Sequence, residues 1–261
     1  MRQITDMNEL RQIQIAILDH VTQFCDEHHI TYFLACGSLI GALRHKGYIP
    51  WDDDIDLFMP RSEYNRLVAT YTDTSNNYKM MEPTRPDCGK YLYTFIKVCD
   101  TRTIITEDDV PGYELGVNID IFPLDYVSDN LRLRPYIFKF KKFIYRMRLC
   151  KMRPNFLSSK FNYLCYRYFP LPLSVINRII WKIFKQHKPT GTVCNMTETN
   201  FYARECFPAK CMEGTVEVEF EGKRYKTMSG YHTYLSNFYG DYMTVPPESQ
   251  RIHHYFKAYW K

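Results

Sequence analysis

Apolar residues recur at helical spacing from the start of the chain. Leu10, Ile13, Ile17, Val21 and Phe24 stand three or four positions apart and so share one face. Asp6, with Glu9 three positions on, has the form of a capping box, and the pattern predicts a helix over 6–28. The stretch ITYFLAC is β-branched and aromatic and predicts a buried strand that ends at Gly37. SLIGALRH predicts a short helix halted at Gly47, DDIDLFM a second strand, and SEYNRLVATY, after Pro60, a further helix. Two more strands are predicted over 91–100 and 117–125.

Beyond Asp125 the pattern changes. Tyr136, Ile137, Phe140, Phe143, Ile144 and Met147 mark one helical face, and Ile176, Ile179, Ile180 and Ile183 mark another. TVEVEFEGKRY alternates about a Glu-Gly turn and predicts a hairpin. YHTYLSNFYGDYMTVPP reads as a helix followed by a proline-punctuated loop. The class is α+β. A mixed sheet forms the core of residues 1–128, a mostly helical lobe follows over 129–190, and residues 191–261 pack back on the core.

Charge sharpens the division. Between Leu131 and Lys188 there are fifteen Lys or Arg and no Asp or Glu, while the rest of the chain holds nineteen basic and 29 acidic residues. So uneven a distribution implies two surfaces that meet different partners. The favoured reading of the basic lobe is peripheral attachment to an anionic inner leaflet, with Trp181 and other aromatics at the interface. Solvated helix faces are the alternative, and no nucleic-acid motif accompanies the charge. The N-terminus lacks the form of a signal peptide and no run of eighteen apolar residues exists, so a cytoplasmic protein at the inner face of the membrane is expected. Nine cysteines without a CxxC pair point to reduced thiols rather than a disulfide framework or a zinc site.

The chemistry gathers at PWDDDIDLF, residues 50–58, where Asp52, Asp53, Asp54 and Asp56 fall within five positions beside apolar neighbours. On a strand Asp54 and Asp56 point the same way, Asp52 joins them if the strand reaches that far back, and Asp53 points away. Such a cluster calls for a cation, and all-oxygen ligands suit Mg²⁺ or Mn²⁺. Asp120, in NIDIF, offers a third carboxylate from another strand. Upstream, Gly37 and Ser38 lie where a strand passes into a helix, a place that suits a phosphate. Arg44 and Lys46 are near enough in sequence to meet phosphate oxygens, and Lys97, flanked by Ile96 and Val98, is an inward-facing lysine that needs an anionic partner. Trp51 is a candidate to stack on a base, with packing in the core as the alternative.

A strand ending in Gly-Ser, a short helix and a strand bearing D-x-D resemble the nucleotidyltransferase fold. GSLIGALRHKGYIPWDDDIDLFMPRSEY, with IDIFPLD later and YGDYMTVPP near the end, resembles the LicD family of phosphocholine transferases and, more distantly, the fukutin-related proteins. The blocks are spread over most of the chain, although the basic middle region matches no motif.

The resemblance implies transfer of a phospho-alcohol group from CDP-choline, or another CDP-alcohol, to a sugar hydroxyl of a cell-surface glycan or its lipid-linked precursor. It places metal ligands at Asp54, Asp56 and Asp120, with Asp52 for water or a second ion. The donor phosphates would meet Gly37, Ser38, Arg44, Lys46 and Lys97, and the acceptor side would hold Asp241, Arg251 and His253. The rival readings are a nucleotidyltransferase that moves NMP from an NTP with pyrophosphate release, and an inactive membrane-associated scaffold.

Overall fold

A computed structural model describes residues 1–84, 91–106, 115–153, 156–184, 188–197, 202–251 and 257–261. In chain order, β1 (Arg2–Ile4) leads into α1 (Met7–Glu27), then β2 (Phe33–Leu34), α2 (Cys36–His45), β3 (Asp56–Pro60) and α3 (Arg61–Thr70). β4 (Tyr78–Met81), β5 (Ile96–Asp100), β6 (Thr103–Thr106) and β7 (Asn118–Val127) follow. The helical lobe is α4 (Arg134–Met152), α5 (Lys160–Arg167) and α6 (Leu173–Phe184). The chain then returns through β8 (Thr192–Asn195), α7 (Tyr202–Glu205), β9 (Phe207–Pro208), β10 (Thr215–Phe220), β11 (Lys223–Met228), α8 (Tyr231–Tyr239) and β12 (Lys257–Trp260).

The main sheet runs β2-β3-β7-β5-β4 and is mixed, because β3 lies parallel to β7 while the other pairs are antiparallel. β7 is long enough to serve two neighbours on one side. Its first half pairs with β5 and its last four residues pair with β8, which in turn pairs with β9. Side chains alternate across this sheet as a two-residue period requires. Leu57, Ile96 and Ile121 enter a core shared with α1, and their neighbours Phe58, Phe95 and Phe122 enter a second core shared with the C-terminal segment. That second face carries the polar residues considered below.

Three predicted elements differ in ways that matter. Asp6 caps α1 by accepting from the Asn8 amide at 2.9 Å, but no reciprocal box forms, because Glu9 turns to Arg2 and to the Trp260 indole, 2.9 Å away. The strand predicted up to Gly37 shrinks to Phe33–Leu34, and α2 begins early enough to take Gly37 and Ser38 into its first turn. The acidic strand begins only at Asp56, so residues 52–55 form a loop.

The helical lobe has its own core, built from Phe138, Ile144, Met147, Ile176 and Ile180 against Val127 and Met196. Part of the basic character is internal. Arg148 is buried and donates to the Tyr91 carbonyl at 2.8 Å, the Leu92 carbonyl and Asn177 Oδ1 at 3.0 Å. The single apolar face predicted for α4 is split: Ile144 and Met147 point inward, whereas Tyr136, Phe140 and Phe143 are exposed.

Candidate active site

The acidic loop is shaped by α1. Arg11 Nη2 donates to the carbonyls of Ile49 at 3.1 Å, Pro50 at 3.1 Å and Asp52 at 2.7 Å, and Gln14 Nε2 donates to the Asp53 carbonyl at 2.7 Å. Carbonyls engaged by side chains are withdrawn from a strand ladder, which is why β3 starts late. Ser38 finishes the clamp. Its hydroxyl is buried, accepts from the Asp56 amide at 2.9 Å and lies 3.5 Å from the Asp54 carbonyl. The sequence offered Ser38 for phosphate; here it holds the acidic loop to α2.

Loop geometry brings the carboxylates together in a way that strand alternation does not describe. One oxygen from each of Asp52, Asp53 and Asp54 lies within 4.8 Å of the other two. Asp53 is buried whereas Asp52 and Asp54 are half-buried, but a carboxylate oxygen of Asp53 stays near theirs. Gly37 makes room for this arrangement, because a Cβ there would collide with the Asp52 carboxylate. A carboxylate beside the first turn of a helix also meets its positive end.

Asp56 and Asp120 are joined by the sheet. They are register partners on the parallel strands β3 and β7, and Asp120 is in turn the register partner of Lys97 on β5. Register partners project on the same side, so Asp56, Asp120 and Lys97 form one row across the face shared with Phe58, Phe95 and Phe122. Lys97 Nζ lies 2.5 Å from Asp120 Oδ1 and 3.1 Å from Asn118 Oδ1, with the Tyr93 ring centroid 4.6 Å away. The expectation of an anionic partner for this inward lysine is met by Asp120.

A cavity of about 420 Å³ opens beside the cluster, lined by Gly37, Asp52, Asp54 and Asp56 on one side. Arg44, Asp241 and Arg251 line it too, so four acidic side chains and two arginines border one cavity. Arg44 is held by the carbonyls of Tyr242 at 3.1 Å and Thr244 at 3.2 Å, and burial lowers its pKa. Trp51 is flanked by both arginines, with Arg251 4.3 Å and Arg44 5.9 Å from its ring centroid. Its more closely approached face is therefore stacked by Arg251. Asp241 accepts from the Thr244 hydroxyl at 2.6 Å.

Tyr239, in the YGDYMTVPP block but not singled out in the sequence, also lines this cavity. The residue is 40% exposed, yet its hydroxyl is pushed well above the usual range, first by burial and then by Cys36, Asp56, Asp52 and Asp54. It remains a neutral donor facing carboxylates. Cys36 and Tyr242 are further lining residues that the sequence did not mark.

Not every expected residue gathers here. Asp120 and Lys97 stand in the sheet row next to Asp56 and outside the lining. Lys46 caps the opposite end of α2, where it is exposed, about 15 Å along the helix from Cys36. His253 lies outside the described residues.

The donor set fits a hard divalent cation. It consists of carboxylate oxygens, and opposite ligands of an ion bound at about 2.0–2.6 Å stand roughly 4–5 Å apart. The oxygens of the trio at 52–54 all fall within that limit.

With the geometry in place, two comparisons bear on it. A family model described as LicD/FKTN/FKRP, nucleotidyltransferase domain, matches residues 29–146, a span that runs from the strand before Gly37 through Asp120 into α4. The lipopolysaccharide cholinephosphotransferase LicD of Haemophilus influenzae is 31% identical over 99% of this chain and 99% of its own length.

Proposed function

The chain belongs to the LicD family, and from that premise we propose that it transfers phosphocholine from CDP-choline to a sugar hydroxyl of lipopolysaccharide or a lipid-linked precursor, with CMP as the other product. One observation carries the reading. Asp52, Asp54 and Asp56 share a single cavity with Arg44 and Arg251, which suits a ligand that is both a chelator of cations and an anion.

The roles follow from position. Asp54 and Asp56, with Asp52 beside them, would hold Mg²⁺ or Mn²⁺; Asp53 is near Asp52 and Asp54 but stands outside the cavity lining. Such an ion would neutralise charge on the donor pyrophosphate and on departing CMP. Arg44 and Arg251, which line the same cavity, would steady the phosphates. The sugar oxygen attacks the phosphorus of phosphocholine, the bond from that phosphorus to the oxygen of CMP breaks, and the sugar's proton passes to a carboxylate. We assign that last role to Asp120, the register partner of Asp56, with Lys97, its ion-pair partner, holding its orientation. Tyr239 and Tyr242, which line the cavity with Asp241, would supply aromatic surface to a trimethylammonium group.

The test is to incubate the protein with Mg²⁺, a glycan acceptor and CDP-choline, CDP-ethanolamine, CDP-ribitol or CDP-glycerol, and to assay CMP. CMP from CDP-choline is expected, and Asp54→Asn or Asp56→Asn should lower turnover by about 10²–10³-fold. Pyrophosphate released from CTP would instead favour NMP transfer. Unchanged turnover in both variants would remove the acidic cluster from the mechanism.

A further inference from the structure

The exposed side of the helical lobe carries a second apolar surface. On α4, Tyr136, Phe140 and Phe143 fall within about 60° of arc at 100° per residue, and on α5 Phe161, Leu164 and Tyr168 do the same. These are not edges of a core. Tyr136 is 71% exposed, Phe140 50%, Phe161 74% and Tyr168 74%. Phe143, at the edge of the α4 stripe, packs on the neighbouring segment, its ring meeting Tyr166 at 5.6 Å and Phe169 at 5.9 Å. Aromatic groups so exposed and so grouped mark an interaction site.

Charge identifies the partner. Lys139 and Arg146 flank the α4 stripe, Arg178 and Lys182 project from α6, and the segment from Leu131 to Lys188 contains no acidic residue. A second copy of the chain would bring the same exposed cations to the contact, with no acidic residue from this segment to balance them. Aromatic rings bordered by cations, in a segment without acidic residues, match the boundary between headgroups and acyl chains. We propose that α4 and α5 lie on the surface of an anionic bilayer, with their aromatic stripes at the acyl boundary and the flanking cations among lipid phosphates. Among the described residues no helix is long and apolar enough to cross a membrane, so the contact is with one leaflet.

The proposal stands on this surface and not on the transferase reading, and its readout is separate from CMP release. The intact protein is mixed with vesicles of phosphatidylcholine containing phosphatidylglycerol, or of phosphatidylcholine alone, and floated on a density gradient. Flotation is expected with the anionic vesicles at low salt and is lost at high salt. The variant Lys139→Glu/Arg178→Glu/Lys182→Glu should bind more weakly by on the order of a hundredfold, taking about fivefold per removed cation. Tyr136→Ser/Phe140→Ser/Phe161→Ser should lose about tenfold with an unchanged circular dichroism spectrum. Three results would overturn the proposal. They are a wild-type protein that stays at the bottom of the gradient at low salt, variants that float as well as wild type, and a dimer in solution that the serine variant converts to monomer.

Discussion

Gly37 shows how much one absent methyl group can determine. It lies in the first turn of α2, where glycine is ordinarily a cost, and the Asp52 carboxylate occupies the space a Cβ would take. Gly37→Ala should therefore separate stability from function. Alanine favours the helix by about 0.5–1 kcal/mol, and the group it displaces is the end of a flexible side chain, so the thermal midpoint should hold or rise. Turnover and divalent-metal affinity should fall about 10–100-fold, measured by CMP release and calorimetric titration. At this scale the sequence was partly legible. Asp54, Asp56 and Asp120 declare themselves because several carboxylates in apolar surroundings have few other uses. The nearness of Asp53 to Asp52 and Asp54 did not show, because it depends on Arg11 and Gln14, about forty residues upstream, drawing the loop out of the strand.

Elements were legible where their period is local. α1, α3 and the β10–β11 hairpin lie within a residue or three of their predicted bounds, since each carries its own pattern and punctuation. β1, β4, β6, β8 and β12 went unread. They are three or four residues long, and their partners stand far away in sequence, as Arg2 and Trp260 do. The hairpin tip shows local chemistry at work. Glu221 and Gly222 both take positive φ, 50° and 75°, the form of a type I′ turn, and the Glu221 carboxylate accepts from the Tyr48 amide at 3.0 Å. Gly222→Ala meets no neighbouring atom, so its whole cost is backbone strain. A loss of about 1–2 kcal/mol in urea unfolding is expected, with turnover unchanged.

For the whole molecule, closure comes from the chain's two ends. β12 is the middle strand of the sheet β1-β12-β6, and its Trp260 indole donates to Glu9 on α1. Deleting residues 257–261 would leave β1 and β6 without the strand between them. The thermal midpoint should drop by on the order of 5–10 °C, followed by differential scanning calorimetry. The distribution of charge was visible in the sequence at this scale, because counting needs no fold. The outward turn of Tyr136, Phe140 and Phe143 was not, because helical spacing alone does not say which of two apolar stripes a neighbouring helix will cover.

The helical lobe leaves the sheet at Val127 and the chain re-enters it at Thr192, and these two residues are register partners. Their Cα atoms are about 5 Å apart. A segment whose ends meet can be lengthened, trimmed or exchanged while the strands on either side keep their alignment. The outer surface of the lobe can then change while Asp56 and Asp120 keep their places in the sheet.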